Sequence, residues 1–392
     1  MNIIEIWGDM KLVFLTNLVN HHQIHVADEL YRILKGDYVY VAFEPLPDFL
    51  IRGGYPNIQR SYILNAYEDE RNYAKAVQLT NEADVVIIGS APEYLVHKRL
   101  SENKLTFHYS ERWFKTKLGV SIFSPRFWYN LFINHWRFNR KKSYMLCASA
   151  YTAYDVNMVH TYKNKCYKWG YFTAVADIDI DRLLSFKDNN AIQIMWCARF
   201  LKWKHPELAL LLAKKLKTKS YNFIINMFGS GEELVQMRNL AKQLDVEDVV
   251  AFRGNLPNDL IQEEMRKHHI FLFTSDRNEG WGAVLNEAMA NACSVVASNE
   301  IGSVPYLINN GVNGLIFKSL DIDSLTAKVE LLINNPTLRD QIARKAYITM
   351  RDIWSPKNAA ESLMELINNL ESGISFNHSG NGPCSIAEII KG

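Results

Sequence analysis

Short apolar runs alternate with amphipathic or connecting segments along most of the chain, and this alternation restricts the fold more than any other feature of the sequence. In the first part of the chain, the runs with the character of β-strands are residues 11–17, 39–43, 83–90, 104–110 and 143–149. Strands separated by helical segments are typical of βαβ units, in which the strands run parallel and are covered on both faces. The sequence therefore predicts an α/β fold with parallel sheets.

A polar, acidic stretch over residues 176–190 divides this pattern into two series. Apolar runs resume after it in AIQIMWCARF, YNFIINMFGSG, DVVAFRG, IFLFTSD, CSVVAS and NGLIF. A chain of 392 residues is also long for a single core. We predict a first domain over 1–172 and a second over 190–354, with ligand sites in the loops that follow the strands, beside a cleft between the domains.

The last part of the chain is expected to contain a helix followed by a tail. Ser355 is a suitable cap and Pro356 suits the first helical position, so a helix is predicted over 355–371. Residues 372–392 are rich in Gly, Ser and Asn, and we expect this tail to be poorly ordered.

Composition excludes several classes of protein. The net charge of +2 argues against a surface built for nucleic acid, so no nucleic acid is expected as a partner. The five cysteines show no CxxC and no paired spacing, which indicates a reducing compartment. Glu5 and Asp9 stand where a secretory signal has cations, and no apolar stretch approaches the roughly 18 residues of a membrane span. We therefore expect a cytoplasmic chain.

Two cations follow the first strand of the second series. Arg199 comes directly at the strand end, and Lys204 stands just before the helix that Pro206 opens. A diphosphate needs donors that stay protonated; arginine binds two oxygens at once, and lysine acts as a mobile point charge. On these residues alone, two ordinary surface cations remain an equal alternative.

Glycines and carboxylates follow later strands of the same series. Gly229 and Gly231, in FGSGEEL, allow a ligand to approach backbone N–H groups, although an ordinary strand-to-helix turn has the same appearance. Glu279 is predicted in a loop and Glu287 in the helix after it. Carboxylates accept hydrogen bonds from vicinal hydroxyls, so the two suit a sugar and a ribose. A paired acid and base is the rival interpretation, but it requires a defined separation across a scissile bond.

Taken in order, Arg199 with Lys204, the FGSG turn, FRG and the Glu279 to Glu287 spacing resemble the C-terminal domain of family GT4 retaining glycosyltransferases, over roughly 190–320. The resemblance implies the GT-B fold, with two Rossmann-like α/β domains facing each other across a cleft and a C-terminal helix that packs back on the first domain. It also implies transfer of a sugar from a nucleotide-sugar donor to a glycan or lipid-linked glycan acceptor, with retention and without a metal or other cofactor. The chain departs from the family pattern at Asn291 and Tyr306.

The resemblance implies roles for particular residues. The catalytic set is Arg199 and Lys204 on the donor diphosphate, Glu279 at the transferred sugar, and His108, which contacts that sugar from the first domain. Glu287 is implied at the ribose. The segment between the glutamates is implied to offer backbone N–H groups to the sugar or phosphates, through Gly280, Trp281, Gly282, Ala283 and Val284. For His108, a strand histidine bonded within the fold is an equal alternative.

Polar residues stand after the first strand, where many members of the family carry a glycine-rich loop. NHHQ, YSER and KWGYF match a bacterial subgroup of the family, and the acceptor is expected at Asn20, His21, His22 and Gln23. His21 and His25 invite a metal interpretation, but the HExxH glutamate is absent, so no metal is expected.

Residues 112–142 are rich in basic and aromatic side chains and contain no acidic residue. Three interpretations stay open: a helix whose rings pack in the core, contact with an anionic membrane surface, or stacking on single-stranded nucleic acid. Membrane contact would place the chain on the inner face of the cell membrane. For the whole chain, a GT-B nucleotide-sugar epimerase and a catalytically silent nucleotide-sugar or glycan-binding module are the alternatives to a transferase.

Overall fold

A computed structural model describes residues 10–48, 58–115, 123–187, 190–373 and 380–391 of the chain. The chain divides into two compact units. Unit 1 consists of Met1–Thr173 together with Pro356–Gly392, and unit 2 consists of Ala174–Ser355. Each unit is built on one parallel β-sheet, as the alternation of apolar runs and helical segments predicts.

Unit 1 contains a seven-stranded sheet with the order β3-β2-β1-β4-β5-β6-β7, and all its pairings are parallel. All five residues of β1 are buried, as expected for a central strand covered on both faces. In chain order, the strands are β1 (Leu12–Thr16), β2 (Tyr38–Ala42), β3 (Ile63–Asn65), β4 (Val85–Ile88), β5 (Thr106–Ser110), β6 (Ser143–Cys147) and β7 (Cys166–Lys168).

Helices cover this sheet between the strands. The helix after β1 buries one apolar stripe against the sheet, with Ile24, Val26, Ala27 and Leu30 inaccessible or nearly so. The α-helices of unit 1 that precede residue 174 in the described ranges are α1 (His21–Leu34), α2 (Glu70–Glu82), α3 (His97–Ser101), α4 (Pro125–Asn134) and α5 (Thr152–Met158).

Unit 2 contains a six-stranded sheet with the order β10-β9-β8-β11-β12-β13, again parallel throughout. The chain builds outward from β8 in one direction and then returns to add β11 on its other side. A topological switch point therefore lies between β8 and β11, where ligands bind in open α/β sheets. The strands are β8 (Ile192–Cys197), β9 (Phe223–Phe228), β10 (Val250–Gly254), β11 (Ile270–Phe273), β12 (Ser294–Ser298) and β13 (Leu315–Phe317).

The helices of unit 2 lie between its strands and after them. Helices and strands enclose one main core, to which Trp196, Phe200 and Leu212 contribute fully buried side chains. The α-helices in the described part of this unit are α6 (Ile180–Ser185), α7 (Glu207–Thr218), α8 (Leu234–Gln243), α9 (Asn258–Lys267), α10 (Val284–Ala290), α11 (Val304–Leu307), α12 (Ile322–Asn334) and α13 (Pro336–Ile348).

The chain returns to unit 1 after Ser355. Helix α14 (Pro356–Ser372) packs against α1, and its buried face includes Leu363, Leu366 and Ile367. None of the helices in the described ranges is long and apolar enough to cross a membrane.

The tail differs from its sequence-based expectation over residues 380–391. Cys384 and Ser385 are buried, and the backbone N–H groups of Cys384 and Ala387 donate to the carbonyls of Lys168 and Cys166. The tail thus pairs with the open edge of β7, which satisfies backbone groups that an uncovered edge strand leaves exposed. Composition indicated disorder because Gly, Ser and Asn bury little apolar surface, but backbone pairing does not depend on side chains.

Candidate functional site

The predicted donor residues of unit 2 lie at the carboxyl ends of strands on both sides of the switch point. Arg199 and Lys204 follow β8, and Glu279 follows β11. Because β8 and β11 are hydrogen-bonded neighbours, the loops after them start side by side. The sheet order therefore brings together groups that lie 75 residues or more apart in sequence.

The structure pairs two of these residues directly. The Lys204 ammonium donates to Glu279 Oε2, and both side chains are largely buried, with 12% and 10% of their surface exposed. Ser275 Oγ donates to the same carboxylate oxygen over 3.0 Å. Lys204 Nζ also lies 4.2 Å from the centroid of the Trp203 ring, within the range of a cation–π contact. The two charges neutralise each other, and the pair is held in a fixed position at the carboxyl end of the sheet.

The backbone around Lys204 is tied to the loop after β11. Thr274 Oγ1 donates to the Lys204 carbonyl over 2.7 Å and accepts from the indole N–H of Trp196 over 2.9 Å. The Asp276 N–H donates to the carbonyl of Trp203 over 3.1 Å. These bonds fix the position of Lys204 relative to Glu279 independently of their ion pair.

Arg199 is exposed at the tip of the loop after β8, and its guanidinium forms no ion pair or hydrogen bond with another described residue. The loop that carries it is joined to the glycine turn after β9. The N–H of Phe200 donates to the carbonyl of Ser230 over 2.8 Å, and the N–H of Glu233 donates to the carbonyl of Phe200 over 3.0 Å. The backbone at Arg199 is thus held while its side chain stays available.

Gly229 and Gly231 are required by this joining of the two loops. Their φ angles are +128° and +152°, and a Cβ on each would lie 2.0 Å from the carbonyl oxygen of Ala198 and 2.4 Å from that of Phe200. No side chain fits at such distances, so two backbones approach each other here as closely as glycine allows. The glycines therefore shape the loop that presents Arg199. Their predicted contact with a donor stays a prediction.

The segment between the two glutamates contains both core and loop residues. Gly282 has a φ of +82°, and a Cβ there would lie 2.2 Å from the ring of Phe273, so only glycine fits. The Trp281 side chain is fully buried and lies near Trp354 and Tyr306, with ring centroids 5.8 and 6.3 Å away. The buried ring leaves only the backbone of Trp281 for a ligand contact. The predicted backbone contacts of Gly280, Trp281, Ala283 and Val284 with a donor stay predictions.

Glu287 lies in α10 and is separate from the Lys204–Glu279 pair. Its side chain is buried, and burial raises the pKa of its carboxyl from 4.5 to about 7, although a hydrogen bond with Asn258 acts in the opposite direction. Burial also raises the pKa of the Cys197 thiol to about 12. The negative charge of Glu287 contributes to this increase, and the positive charge of Lys204 opposes it. Cys197 therefore lies within electrostatic reach of both residues, at the end of β8.

The raised pKa of Glu287 predicts a specific dependence of stability on pH. Since the native state binds this proton more tightly than the unfolded state, the stabilisation is complete below pH 4.5 and is lost as the pH rises through about 7. Between these limits the free energy of unfolding should fall by about 3 kcal/mol relative to that of Glu287→Gln, which cannot ionise. Urea unfolding followed by tryptophan fluorescence measures the difference.

An exposed glutamate of the same unit provides the control. Glu247→Gln should leave the pH profile of the wild type unchanged, because Glu247 is exposed. Parallel profiles for Glu287→Gln and the wild type would contradict the assignment of a protonated, buried carboxyl to Glu287.

In unit 1, the predicted acceptor residues are engaged within the fold. Asn20 caps α1, its Oδ1 accepting from the His22 N–H over 2.9 Å. The His22 ring stacks on Tyr171 at 5.3 Å between centroids. Gln23 is 2% exposed and donates to the Tyr109 hydroxyl and the Gly170 carbonyl. These contacts explain why NHHQ occurs with YSER and KWGYF, since the three motifs meet here.

His21 lies against His22, with ring centroids 3.7 Å apart. Burial, and then the charge of His25, lower the pKa of His21 to about 4, so its ring is neutral near neutral pH. A neutral imidazole pair suits hydroxyl groups rather than anions. The acceptor role of these four residues stays a prediction.

His108 is the middle residue of β5, buried to 3% exposure, and its Nδ1 is 3.3 Å from Glu93 Oε2. The structure is therefore consistent with both interpretations of His108, a histidine bonded within the fold and a histidine that contacts a sugar. The side chain has an internal partner and also lines a cavity. Glu93 and His135, which lie beside it, were missed. A lone glutamate after a strand carries no pattern, and only the β4 and β5 pairing shows that it faces His108.

Residues 112–142 are described except for 116–122, which lie outside the described ranges. In α4 only Leu131 is buried, whereas Tyr129 and Phe132 are 64% and 53% exposed, and Phe123, which precedes the helix, is 81% exposed. The interpretation of a helix with its rings in the core is therefore wrong for α4. Phe138, beyond the helix, does pack inside.

Comparisons with known proteins agree with this architecture. Residues 177–349 match the family model described as Glycosyl transferases group 1. An uncharacterized glycosyltransferase of Haemophilus influenzae is 31% identical over 159 residues, 41% of this chain and 44% of the relative. The capsular polysaccharide biosynthesis glycosyltransferase CapM of Staphylococcus aureus is 26% identical over 191 residues, 46% of this chain and 47% of the relative. The matches thus span less than half the length of these two relatives.

The fold extends further than the sequence similarity. HepE of Anabaena, whose crystal structure was solved in complex with UDP, superposes with a TM-score of 0.67 at 15% identity, covering 92% of this chain and all of HepE. The chain therefore has the GT-B fold of two Rossmann-like domains, and its residues 177–349 are similar to the glycosyl transferases group 1 family.

Proposed function

We propose that this protein is a glycosyltransferase that moves a sugar from a nucleotide-sugar donor to a glycan or lipid-linked glycan acceptor. The observation that carries the proposal is the Lys204–Glu279 contact across the β8/β11 switch point, within the domain that matches the group 1 family. A cation for the diphosphate and a carboxylate for sugar hydroxyls meet where such sheets bind ligands.

Arg199 and Lys204 are proposed to bind the donor diphosphate. Arg199 is exposed and extends from a held backbone, so it can bind two phosphate oxygens without first breaking an ion pair. Lys204 is neutralised by Glu279 in the unliganded protein. A diphosphate would share this cation, and the Thr274 bond to the Lys204 backbone would keep the residue in place during the exchange.

The two glutamates are proposed to hold different parts of the donor. Glu279 faces Lys204 and Ser275, so it can accept from sugar hydroxyls next to the diphosphate. Glu287 is proposed to bind the ribose. Because its pKa is about 7, its carboxyl both accepts and donates hydrogen bonds near neutral pH, as a diol does.

Departure of the nucleoside diphosphate is the step that these residues would accelerate. Negative charge grows on the diphosphate as oxocarbenium character grows on the sugar, so Arg199 and Lys204 bind the transition state more strongly than the bound donor. These side chains supply the positive charge, so the proposal includes no metal. Membership of family GT4, retention of configuration, and attack on the face that the diphosphate leaves are the finer parts of the proposal.

The names of the relatives indicate which classes of donor and acceptor to test first. CapM is named for capsular polysaccharide biosynthesis, and HepE binds UDP in its crystal structure. We therefore propose a uridine diphosphate sugar as the first donor to test and a polysaccharide or its lipid-linked precursor as the acceptor class.

A thermal-shift panel of UDP, GDP and ADP, each with one of its sugar conjugates, tests the donor site. One nucleotide should raise the unfolding midpoint, by several degrees at about 100 times its Kd, because it binds only the native state. Arg199→Ala should reduce that shift, and Lys214→Ala, at an exposed lysine of α7, should leave it unchanged. Equal shifts in all three proteins, or no shift with any nucleotide, would contradict the proposal.

We also propose that the segment of Phe123, α4 and the residues after α4 contacts an anionic membrane surface. Three rings, those of Phe123, Tyr129 and Phe132, are exposed on the segment. Exposed cations accompany them, at Arg126, Arg137 and Arg140. Aromatic rings at headgroup depth beside cations that pair with lipid phosphates are the features of an interfacial helix. Such contact would bring the protein to the inner face of the cell membrane, where a lipid-linked acceptor lies.

Sedimentation with vesicles tests this contact. The chain should bind vesicles that contain phosphatidylglycerol and bind less to pure phosphatidylcholine, and salt should weaken the binding. Replacing Phe123, Tyr129 and Phe132 with serine should reduce the bound fraction severalfold, because each exposed ring contributes apolar area to the interface. Val235→Ser, at a residue 71% exposed in unit 2, is the matched control. Unchanged binding of the triple variant would contradict the proposal.

A further inference from the structure

His205 follows Lys204 directly, in the loop that leads from β8 to α7. Its backbone has φ 49° and ψ 56°, the left-handed conformation that residues with a Cβ rarely adopt. Its side chain is largely buried, with 14% of its surface exposed. Non-glycine residues keep this conformation only where the surrounding contacts impose it, and they cluster at functional sites. The contacts of His205 therefore indicate what this residue does.

Both ring nitrogens of His205 lie next to carboxylates from different elements. Nδ1 is 2.7 Å from Oε1 of Glu207, the first residue of α7, and Nε2 is 3.3 Å from Oδ2 of Asp276, in the loop after β11. Carboxylates accept hydrogen bonds, so both contacts are satisfied together only when both nitrogens carry protons. The geometry therefore fits an imidazolium that bridges the start of α7 and the loop after β11.

The surroundings of His205 favour this charged form. Burial acts to lower the pKa of His205, but the hydrogen bonds and charges of Glu207 and Asp276 outweigh burial and raise the pKa from its usual value of 6.5. The doubly bonded imidazolium therefore persists to a higher pH than the charged form of a free histidine does.

Asp276 connects this bridge to the Lys204–Glu279 pair. The N–H of Glu279 donates to the Asp276 carbonyl over 3.0 Å. Asp276 Oδ1 accepts from the N–H and from the side-chain amide of Asn278, both over 2.9 Å. On the other side, a single peptide bond joins His205 to Lys204. The bridge through His205 therefore links the same two loops as the ion pair does.

Binding of a diphosphate would weaken the link that the ion pair provides. Lys204 would share its charge between Glu279 and the phosphate oxygens, and the lysine ammonium is a mobile point charge on a flexible stem. The contact of His205 with Asp276 involves neither partner of the ion pair, so it would persist through this exchange. A neighbouring residue whose own link stays intact restricts the positions that the ammonium can take.

We propose that His205 is a positioning residue: its bridge to Asp276 keeps Lys204 in place while the ammonium exchanges its carboxylate partner for phosphate oxygens. The inference rests on the proposed function, which places the donor diphosphate at Lys204. Holding a binding group in advance raises affinity, because less conformational freedom is lost when the ligand binds. His205 thus contributes to diphosphate binding without a contact of its own with the ligand.

Three substitutions separate the bridge from the backbone conformation. His205→Gly removes the ring and adopts the left-handed conformation without strain. His205→Asn also tolerates that conformation, and its side-chain amide can donate to one carboxylate. Asp276→Asn keeps an oxygen for Asn278 but removes the negative charge that faces His205. The matched control is His160→Gly, because His160 is exposed in unit 1 and has a φ of +58°.

Calorimetric titration of the full chain with UDP, GDP and ADP measures the effect. At least one diphosphate should bind the wild type, and it should bind His205→Gly and Asp276→Asn roughly tenfold more weakly, the scale of one charge-assisted hydrogen bond. The double variant should lose the same factor of about ten, because both substitutions break one contact. His205→Asn should lose less than His205→Gly, and His160→Gly should bind as the wild type does.

The sign of the change in Asp276→Asn distinguishes positioning from a direct effect of charge. Loss of a negative charge near an anion would, by charge alone, strengthen the binding of the diphosphate. Weaker binding therefore supports the bridge. Unfolding midpoints within roughly 3 °C of that of the wild type show that the variants are folded. If His205→Gly falls outside this range, Asp276→Asn decides the question.

The inference is overturned if either variant, folded as the wild type is, binds the diphosphate with unchanged or higher affinity. It is also overturned if the two losses add to roughly a hundredfold in the double variant, since independent effects do not share one contact. Both outcomes leave the proposed function intact, because the wild type still binds a diphosphate. A wild type that binds none of the three diphosphates contradicts the proposed function, and with it the inference.

Discussion

Replacing Glu279 with glutamine should reduce turnover by roughly a hundredfold, the scale on which one preorganised electrostatic group at a transition state usually acts. The amide keeps the shape of the side chain and can still accept from Ser275, but it removes the charge next to the proposed oxocarbenium centre. The affinity for the nucleoside diphosphate alone should not fall, because Lys204 loses the partner with which a diphosphate competes.

Arg199→Ala is the informative comparison for this prediction. Arg199 has no internal ion pair to lose within the described residues, so its removal should weaken diphosphate binding and turnover together. Steady-state kinetics and calorimetric titration of the diphosphate separate the two effects. Equal losses of nucleotide affinity in the two variants would contradict the proposed division of roles.

Gly229→Ala should destabilise unit 2 by at least about 4 kcal/mol, which is exceptional for a single methyl group. The added Cβ would lie 2.0 Å from the Ala198 carbonyl oxygen, at a φ of +128° that L-residues rarely adopt. Relief requires movement of the loop after β8, so nucleotide binding through Arg199 should be lost in any fraction that still folds. Urea unfolding and nucleotide titration measure the two consequences.

Gly254→Ala is the matched control, because it separates the effect of the clash with the added Cβ from the effect of the positive φ. Gly254 also has a positive φ, +74°, but nothing lies within 4 Å of a Cβ built there. Its substitution should therefore cost only the roughly 1–2 kcal/mol of a left-handed residue. Similar losses in both variants would show that the loops after β8 and β9 do not approach each other as described.

Much of the fold could be predicted from the sequence. Strands of a parallel sheet are buried on both faces, so their sequences are continuous apolar runs. The runs containing β1 and β8 are examples, and both are interior strands with a neighbour on each side. Strand β3 was missed because its three residues, Ile63–Asn65, lie at the sheet edge and are only half-buried, so no apolar run marks it. The pairing of the tail with β7 was missed for a related reason, since backbone hydrogen bonds leave no trace in side-chain composition.

The proposed donor residues were selected from their order in the sequence, but their grouping in space could not be derived from it. The contact of Lys204 with Glu279 depends on β8 and β11 being neighbours, which follows from the strand order and not from spacing along the chain. The burial that raises the pKa of Glu287 likewise depends on tertiary packing. In unit 1, the same limitation concealed Glu93, whose partner His108 comes from the adjacent strand.

Trp281 illustrates what sequence reasoning leaves out. Its prediction concerned only the backbone N–H, and nothing in the sequence indicated that the ring is fully buried near Trp354 and Tyr306. Tyr306, which stands where the family often has an acidic residue, stacks on Trp354 with centroids 6.0 Å apart. Tyr306, where the chain departs from the family pattern, is therefore a residue of the packed core next to the site.

The most direct test of the central claim is the release of nucleoside diphosphate from UDP-glucose, UDP-N-acetylglucosamine, UDP-galactose and GDP-mannose. The full chain is incubated with each donor, with and without a bacterial lipid-linked glycan fraction, and the sugar products are identified by mass spectrometry and NMR. The account predicts release that depends on the acceptor with at least one donor and that falls roughly a hundredfold in Glu279→Gln. No release with any donor, equal release by the variant, or an epimerised donor formed without acceptor would contradict it.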